Sequence, residues 1–445
     1  LLTSNPILTA ATFLTAALLV VLLWRPGAPP ILLFVTGMLW LQPATKVLHA
    51  DARDLPVGEM ALHPATIDDA ILLSLLAILG IAAGMRLLMG RPAADVMERL
   101  AADARNLSIG WLAVLTILIW MSASLAEALM PAVLRQPVMA IGNLQWVFLF
   151  ALACAVFIQR RGYLVLGTIV LAQLVVGFTG FFSGFKEVLF LLFIVALTVR
   201  PEVPLERLPR LLAGVAVVIG LGLVWTAIKT DLRDFLNAGT GQQVVLRTPT
   251  ERLQGLTDQL GTLESEELAD ASEALAKRLA YVDFFAIVLD RVPAVLPHED
   301  GAILSDAIRH ILTPRLLFPD KAGTGSDSEM TNKYTGLNLA SARQGTSVNL
   351  GWPAEAYIDF GRELMVLPML AIGILCGLAY RGLAWSGRGY GLVLSYGFAV
   401  AALIGLPSAG TLLKLLGALL TNVVVLGTIK AVAQPALSRL LRRPG

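Results

Sequence analysis

The side chains that can do chemistry are concentrated in one polar, Gly-rich stretch, 309–361, of an otherwise apolar chain. Arg309, His310, Arg315 and Lys321 occur within thirteen residues, and Lys333 and Arg343 follow. Cations at this density want an anion, and Arg adds a planar fork that matches phosphate oxygens. The Gly, Ser, Thr and Asn residues of 323–349 form a flexible loop whose N–H groups suit a phosphate or a hydroxyl-rich substrate. Asn349, Trp352, Glu355, Tyr357 and Asp359 come next, leading into an apolar run. Glu355 and Asp359, four apart, share one helix face. Glu355 is the preferred general base, its pKa raised by a half-buried position.

Each of these residues also has a plainer reading. Arg309 and His310 suit the last turn of a helix, where cations complement the dipole. The Gly-rich stretch reads equally as a linker, and Trp352 and Tyr357 as anchors at a membrane interface. The two carboxylates then only balance nearby arginines.

Positioning falls to the apolar remainder. The 445 residues are 56% hydrophobic and 15% charged, and the mean hydropathy is +0.74, values that exclude an ordinary soluble domain. An all-α polytopic membrane protein is expected. A bilayer core of about 30 Å needs about 20 apolar residues per helix. Such runs occur at 7–24, 30–41, 70–89, 107–130, 138–158, 163–182, 185–199, 211–228, 364–380, 390–406 and 412–432, giving eleven expected spans. Alternate connections carry the arginines: Arg25; Arg86, Arg91, Arg99 and Arg105; Arg160 and Arg161; Arg200, Arg207 and Arg210; Arg381 and Arg388; and the tail with Arg439, Arg442 and Arg443. The positive-inside rule then sets an N-out, C-in topology. The expected organisation is 1–230 with eight spans, an outer segment 231–361, and 362–445 with three more. Cys154 and Cys376 lie in apolar runs, which points to packing and away from a disulfide or a metal.

An outer segment this long should carry its own elements. Apolar residues at Leu268, Leu275, Leu279, Val282, Ala286 and Leu289 predict one amphipathic helix over 266–292. Ser305 or Asp306 is the expected cap of a second helix ending near Leu312, before Pro314. His49 and His63, near several Asp in the loop 42–69, read as a solvated surface.

LTPRLLFPDK, then a Gly-rich stretch, then TSVNLGWPAEAYIDFG resembles the outer-loop pattern of bacterial oligosaccharide repeat-unit polymerases, the Wzy-type O-antigen and exopolysaccharide polymerases. GFFSGFKEVLF, with Lys186, resembles that family's small-residue, basic hairpin. Pro353 and Ala354 stand where the family often has a second Gly or Ser, and Lys186 where Arg is common. The resemblance implies a GT-C-like fold and a glycosyltransferase of the inner membrane, active on its periplasmic face. It would move a glycan from undecaprenyl pyrophosphate to the non-reducing end of a second lipid-linked repeat unit, with no cofactor and no metal. The catalytic residues would be Glu355, Arg315 and His310. Arg309, Lys321, Arg343, Lys186, Asn349, Tyr357 and Asp359 would bind substrate. The implied partners are undecaprenyl-pyrophosphate-linked oligosaccharides, membrane lipids, a chain-length regulator and other export proteins, and no nucleic acid.

Two other readings compete. An O-antigen ligase uses the same donor with a different acceptor. A transporter or flippase would explain charges at span edges, among them Glu127, Lys186, Glu187, Lys229, Glu363 and Lys414; against it, the halves show no internal repeat.

Overall fold

The protein was described through a computed structural model that covers residues 3–129, 135–180, 184–202, 206, 208–240, 245–279, 281–313, 318, 321, 326–339, 347–387 and 390–442. Among these the chain is helical, with a lone bridge between Leu107 and Arg442 in place of any sheet. Seven helices are long and apolar enough to cross a membrane, as expected for a membrane protein whose backbone polar groups must be satisfied within each segment.

The chain begins with α1 (Pro6–Leu23), α2 (Ile31–Ala52) and α3 (Ile67–Leu88), then a surface helix α4 (Val96–Asn106). Next come α5 (Ile109–Leu129), α6 (Arg135–Gly142), α7 (Leu144–Gln159), α8 (Tyr163–Phe178), α9 (Lys186–Val199) and α10 (Leu208–Leu236). Between α10 and the last spans lie α11 (Pro249–Gly261), α12 (Ser265–Leu279), α13 (Val282–Arg291), α14 (Ala302–Leu312), α15 (Asp327–Thr335) and α16 (Trp352–Leu364). The chain closes with α17 (Val366–Ala384), α18 (Leu392–Leu403) and α19 (Leu412–Leu440).

The long candidates are α1, α2, α3, the α6–α7 stretch Pro137–Gln159, α10, α17 and α19. Three more expected spans contain shorter apolar stretches, Ile109–Ala123, Tyr163–Phe178 and Leu392–Ser408, and the remaining one forms α9. At about 1.5 Å per residue, α8 and α18 fall short of a 30 Å core.

α7 and α18 form the centre of the bundle: every residue from Val147 to Val156, and all of α18, is buried. α3 and α17 approach most closely through glycines. A Cβ on Gly84 would lie 2.1 Å from the Leu370 carbonyl oxygen, and one on Gly373 2.1 Å from that of Ile81. Gly80, Gly84, Gly373 and Gly377 thus make two facing small-xxx-small pairs, the device that lets helices touch backbone to backbone in a membrane.

Several expectations need correction. α2 does not stop at Leu41; Ala44, Lys46, Val47 and Ala50 are buried, so packing carries the helix through Pro43 to Ala52. The helix expected over 266–292 is divided into α12 and α13. The stretch 323–349 is no continuous flexible loop, because α15 buries Ser328, Thr331, Tyr334 and Thr335. α11 opens with a Thr248–Glu251 capping box that the sequence reading passed over. Trp352 and Tyr357 do not anchor an interface. Both are buried, with Trp352 Nε1 donating to the Ala409 carbonyl (2.5 Å) and the Tyr357 hydroxyl to that of Val292 (2.8 Å).

Candidate functional site

α16 carries the two carboxylates, and its setting depends on one backbone position. Gly361 has φ 69° and ψ −178°, a conformation that L side chains rarely adopt. It kinks the chain between α16 and α17, and α16 packs on α3, α13 and α14. Glu355 and Asp359 both point into the protein, each 1% exposed. They do different work.

Asp359 is a helix cap. Its carboxylate accepts the Ile303 and Leu304 N–H groups at 2.9 and 2.7 Å, the open donors at the start of α14. Burial raises its pKa, and the two N–H bonds work against that rise. The cap expected from Ser305 or Asp306 is therefore supplied from a distant segment, because Gly301 at the N-cap has no side chain. Asp359→Ala should cost about 1–2 kcal/mol, read as a lower melting temperature in detergent. Asp359→Asn should cost less, since it keeps one acceptor.

Glu355 has a different partner. Its Oε2 accepts the Leu412 N–H at 2.8 Å, at the first turn of α19. Oε1 is buried without a hydrogen-bond partner. Burial pushes the carboxyl up to about 8; the Leu412 N–H opposes this, Asp327 and Asp359 add to it, and Lys414 opposes it. The position is fully enclosed, not half-buried as the sequence suggested. Beside it, Lys414 Nζ meets Asp327 Oδ2 at 2.5 Å, and the Ser347 hydroxyl donates to the same oxygen at 3.0 Å. Thr411 caps α19 through the Lys414 N–H (3.3 Å). Asn349 closes the cluster, packed so tightly on Gly410 that a Cβ there would lie 2.1 Å from Asn349 Nδ2.

The other expected residues are not gathered here. Arg309 lies on the open face of α14, 77% exposed and 3.3 Å from Asp306. The His310 carbonyl accepts from the Lys321 ammonium and from the Thr313 hydroxyl. Lys186 begins α9, which packs on α7, α8 and α4. Tyr357 packs against Phe285 and His298 and holds the loop after α13. Arg315 and Arg343 lie outside the described residues. Lys414 and Asp327 are the residues that the sequence reading undervalued. A lysine in the first turn of an apolar helix is misplaced with respect to the dipole, and that misfit signals a partner.

A family profile described as a domain of unknown function (DUF8712) matches residues 61–384. The chain belongs to the DUF8712 family. No curated protein and no solved structure matches it. The DUF8712 segment runs from just before α3 to the end of α17, and so includes Asp327, Glu355 and Asp359. Leu412 and Lys414, which complete the cluster, come from α19 beyond it.

The arrangement can move a proton and steady an anion. Glu355 titrates near neutrality, as an effective acid–base group should. The start of α19, whose Leu412 N–H bonds Glu355, and the Lys414 ammonium, paired with Asp327, place positive charge beside it. Among the described residues no group of three or more His, Cys, Asp or Glu converges to hold a metal ion.

Proposed function

We propose that this protein is a polyprenyl-pyrophosphate-dependent polysaccharide polymerase of the bacterial inner membrane, with eleven spans, a GT-C-like plan and its active face in the periplasm. The observation that carries the reading is the buried Glu355, with one unpaired oxygen, beside Lys414 at the N-terminus of a membrane helix. The outer-loop resemblance and the alternation of arginines support it.

In this reading the acceptor hydroxyl attacks the anomeric carbon of the donor glycan and passes its proton to Glu355. The bond to undecaprenyl pyrophosphate breaks, and the electron pair leaves on the pyrophosphate oxygen. Lys414 and the start of α19 stabilise that charge, with Arg315, Lys321, Arg343 and Arg309 recruiting the anion from the outer side. Each charge-assisted contact is worth roughly 1.5–3 kcal/mol, so a few cations take the place of a metal. Oε1 is closed off in this conformation, so a local opening must precede entry of the hydroxyl.

Mass spectrometry of lipid-linked glycans in a deletion strain tests the function. A polymerase leaves single repeat units, both on the carrier and on the surface. An O-antigen ligase leaves polymer on the carrier and none attached to the cell. Unchanged glycans would rule out both.

A further inference from the structure

Three helices finish at the end of the bundle away from Glu355: α1 at Leu23, α3 at Leu88 and α17 at Ala384. They finish side by side. α3 packs on both of the others, and a Cβ on Gly377 of α17 would lie 2.7 Å from the Met85 carbonyl oxygen, in the last turn of α3.

Each end carries an arginine. Arg86 lies in the last turn of α3 and Arg381 in that of α17. Arg25 follows α1, its guanidinium donating to the Trp24 and Leu22 carbonyls at 2.6 and 3.1 Å. Arg91 comes from the loop after α3, next to Gly90, where a Cβ would lie 3.8 Å from Cγ and Cδ of Arg381. Burial lowers the Arg25 pKa, and the charges of Arg86 and Arg91 lower it further.

Like charges gathered in this way repel, and the protein does not balance them. Among the described residues no carboxylate pairs with Arg25, Arg86, Arg91 or Arg381. The acids next in the chain, Asp95 and Glu98, open α4 and complement its own dipole. A helix C-terminus carries about half a negative charge, so three of them leave roughly two to three positive charges over. The positive-inside rule asks for arginines on one side of the membrane. It does not ask for them to meet.

The surroundings say what kind of anion can come. Val21 on α1 and Leu87 on α3 are exposed within about a turn of Arg25 and Arg86, so the cluster lies where apolar surface gives way to charge. In a bilayer that is the depth of the phospholipid headgroups.

We infer that Arg25, Arg86, Arg91 and Arg381 form a site for an anionic phospholipid with two phosphates, the chemistry of cardiolipin, at the ends of α1, α3 and α17. Two phosphates match the charge left over, and guanidinium forks match their oxygens. The site rests on the bundle alone and is independent of the polymerase reading.

The test is lipid binding by the purified protein, titrated with each lipid and read by native mass spectrometry. Wild-type protein should hold cardiolipin at least about tenfold more tightly than phosphatidylglycerol, whose headgroup has one phosphate. Arg86→Gln with Arg91→Gln removes two charges that make no hydrogen bond among the described residues, and should bring cardiolipin down to the level of phosphatidylglycerol. Arg105→Gln with Arg439→Gln takes two exposed charges from the same end of the bundle and should bind cardiolipin as the wild type does. Arg86→Lys with Arg91→Lys keeps the charge and loses only the forks, so its affinity should fall between, a graded loss that misfolding would not produce. Equal affinity of the wild type for both lipids, or equal losses in the Arg86/Arg91 Gln pair and its control, would overturn the assignment. So would displacement of cardiolipin by equimolar inorganic pyrophosphate, which marks a site for a soluble diphosphate.

Discussion

Glu355→Gln is expected to abolish polymer in cells and to slow transfer in vitro by about a hundred- to ten-thousandfold, the usual contribution of a positioned base. Gln keeps the size of the side chain and an acceptor for the Leu412 N–H, so the protein should still fold and insert. The pH dependence makes the test specific. With its carboxyl pushed up to about 8, the wild type holds only about a tenth of its Glu355 ionised at pH 7. Activity should rise with pH and level off above about 8. Stability should move the opposite way. Below the ordinary value of 4.5 both folded and unfolded chains hold the proton, and the group adds no pH dependence. Between 4.5 and about 8 the unfolded chain has released it and the folded chain has not, so stability falls with rising pH, by at most about 1.4 kcal/mol per unit. Glu355→Gln should lose that slope. A variant that makes full-length polymer at wild-type rate removes Glu355 from the chemistry; one that keeps the slope shows that another group is titrating.

The second large effect is on the bundle itself. Gly84→Ala or Gly373→Ala adds one methyl group, yet each would place a Cβ 2.1 Å from a backbone oxygen of the facing helix. No rotamer change relieves a contact with backbone, so α3 and α17 must separate. The cost should be at least about 3 kcal/mol, the upper part of the range for overpacking, and the Leu variants should yield no folded protein. Gly220→Ala in α10 is the matched control, since nothing lies within 4 Å of its added methyl. It should melt at or above the wild-type temperature, because Ala favours the helix. If Gly84→Ala and Gly220→Ala melt together, the close crossing of α3 and α17 is not what holds the bundle.

The sequence by itself determined the class of the protein. Runs of apolar residues fix helices because a bilayer leaves the backbone no other partner, and that is a local property. α1, α3, α17 and α19 begin within three residues of where the apolar runs predicted. Glu355 was also legible, as one of two carboxylates four apart on the approach to a span. What it touches was not. Asp359, four residues on, is also a buried carboxylate, yet it caps α14 while Glu355 meets the start of α19, partners that only the packing supplies. Lys414 and Asp327, separated by 87 positions, pair only through that packing. Closeness in sequence likewise did not tell where the basic residues point: Arg309 and His310 are neighbours on α14, and the Arg309 guanidinium turns outward to Asp306. Composition and periodicity report the environment of a segment. Which two segments meet is decided by shape, here by the glycines that admit the close approach of α3 and α17.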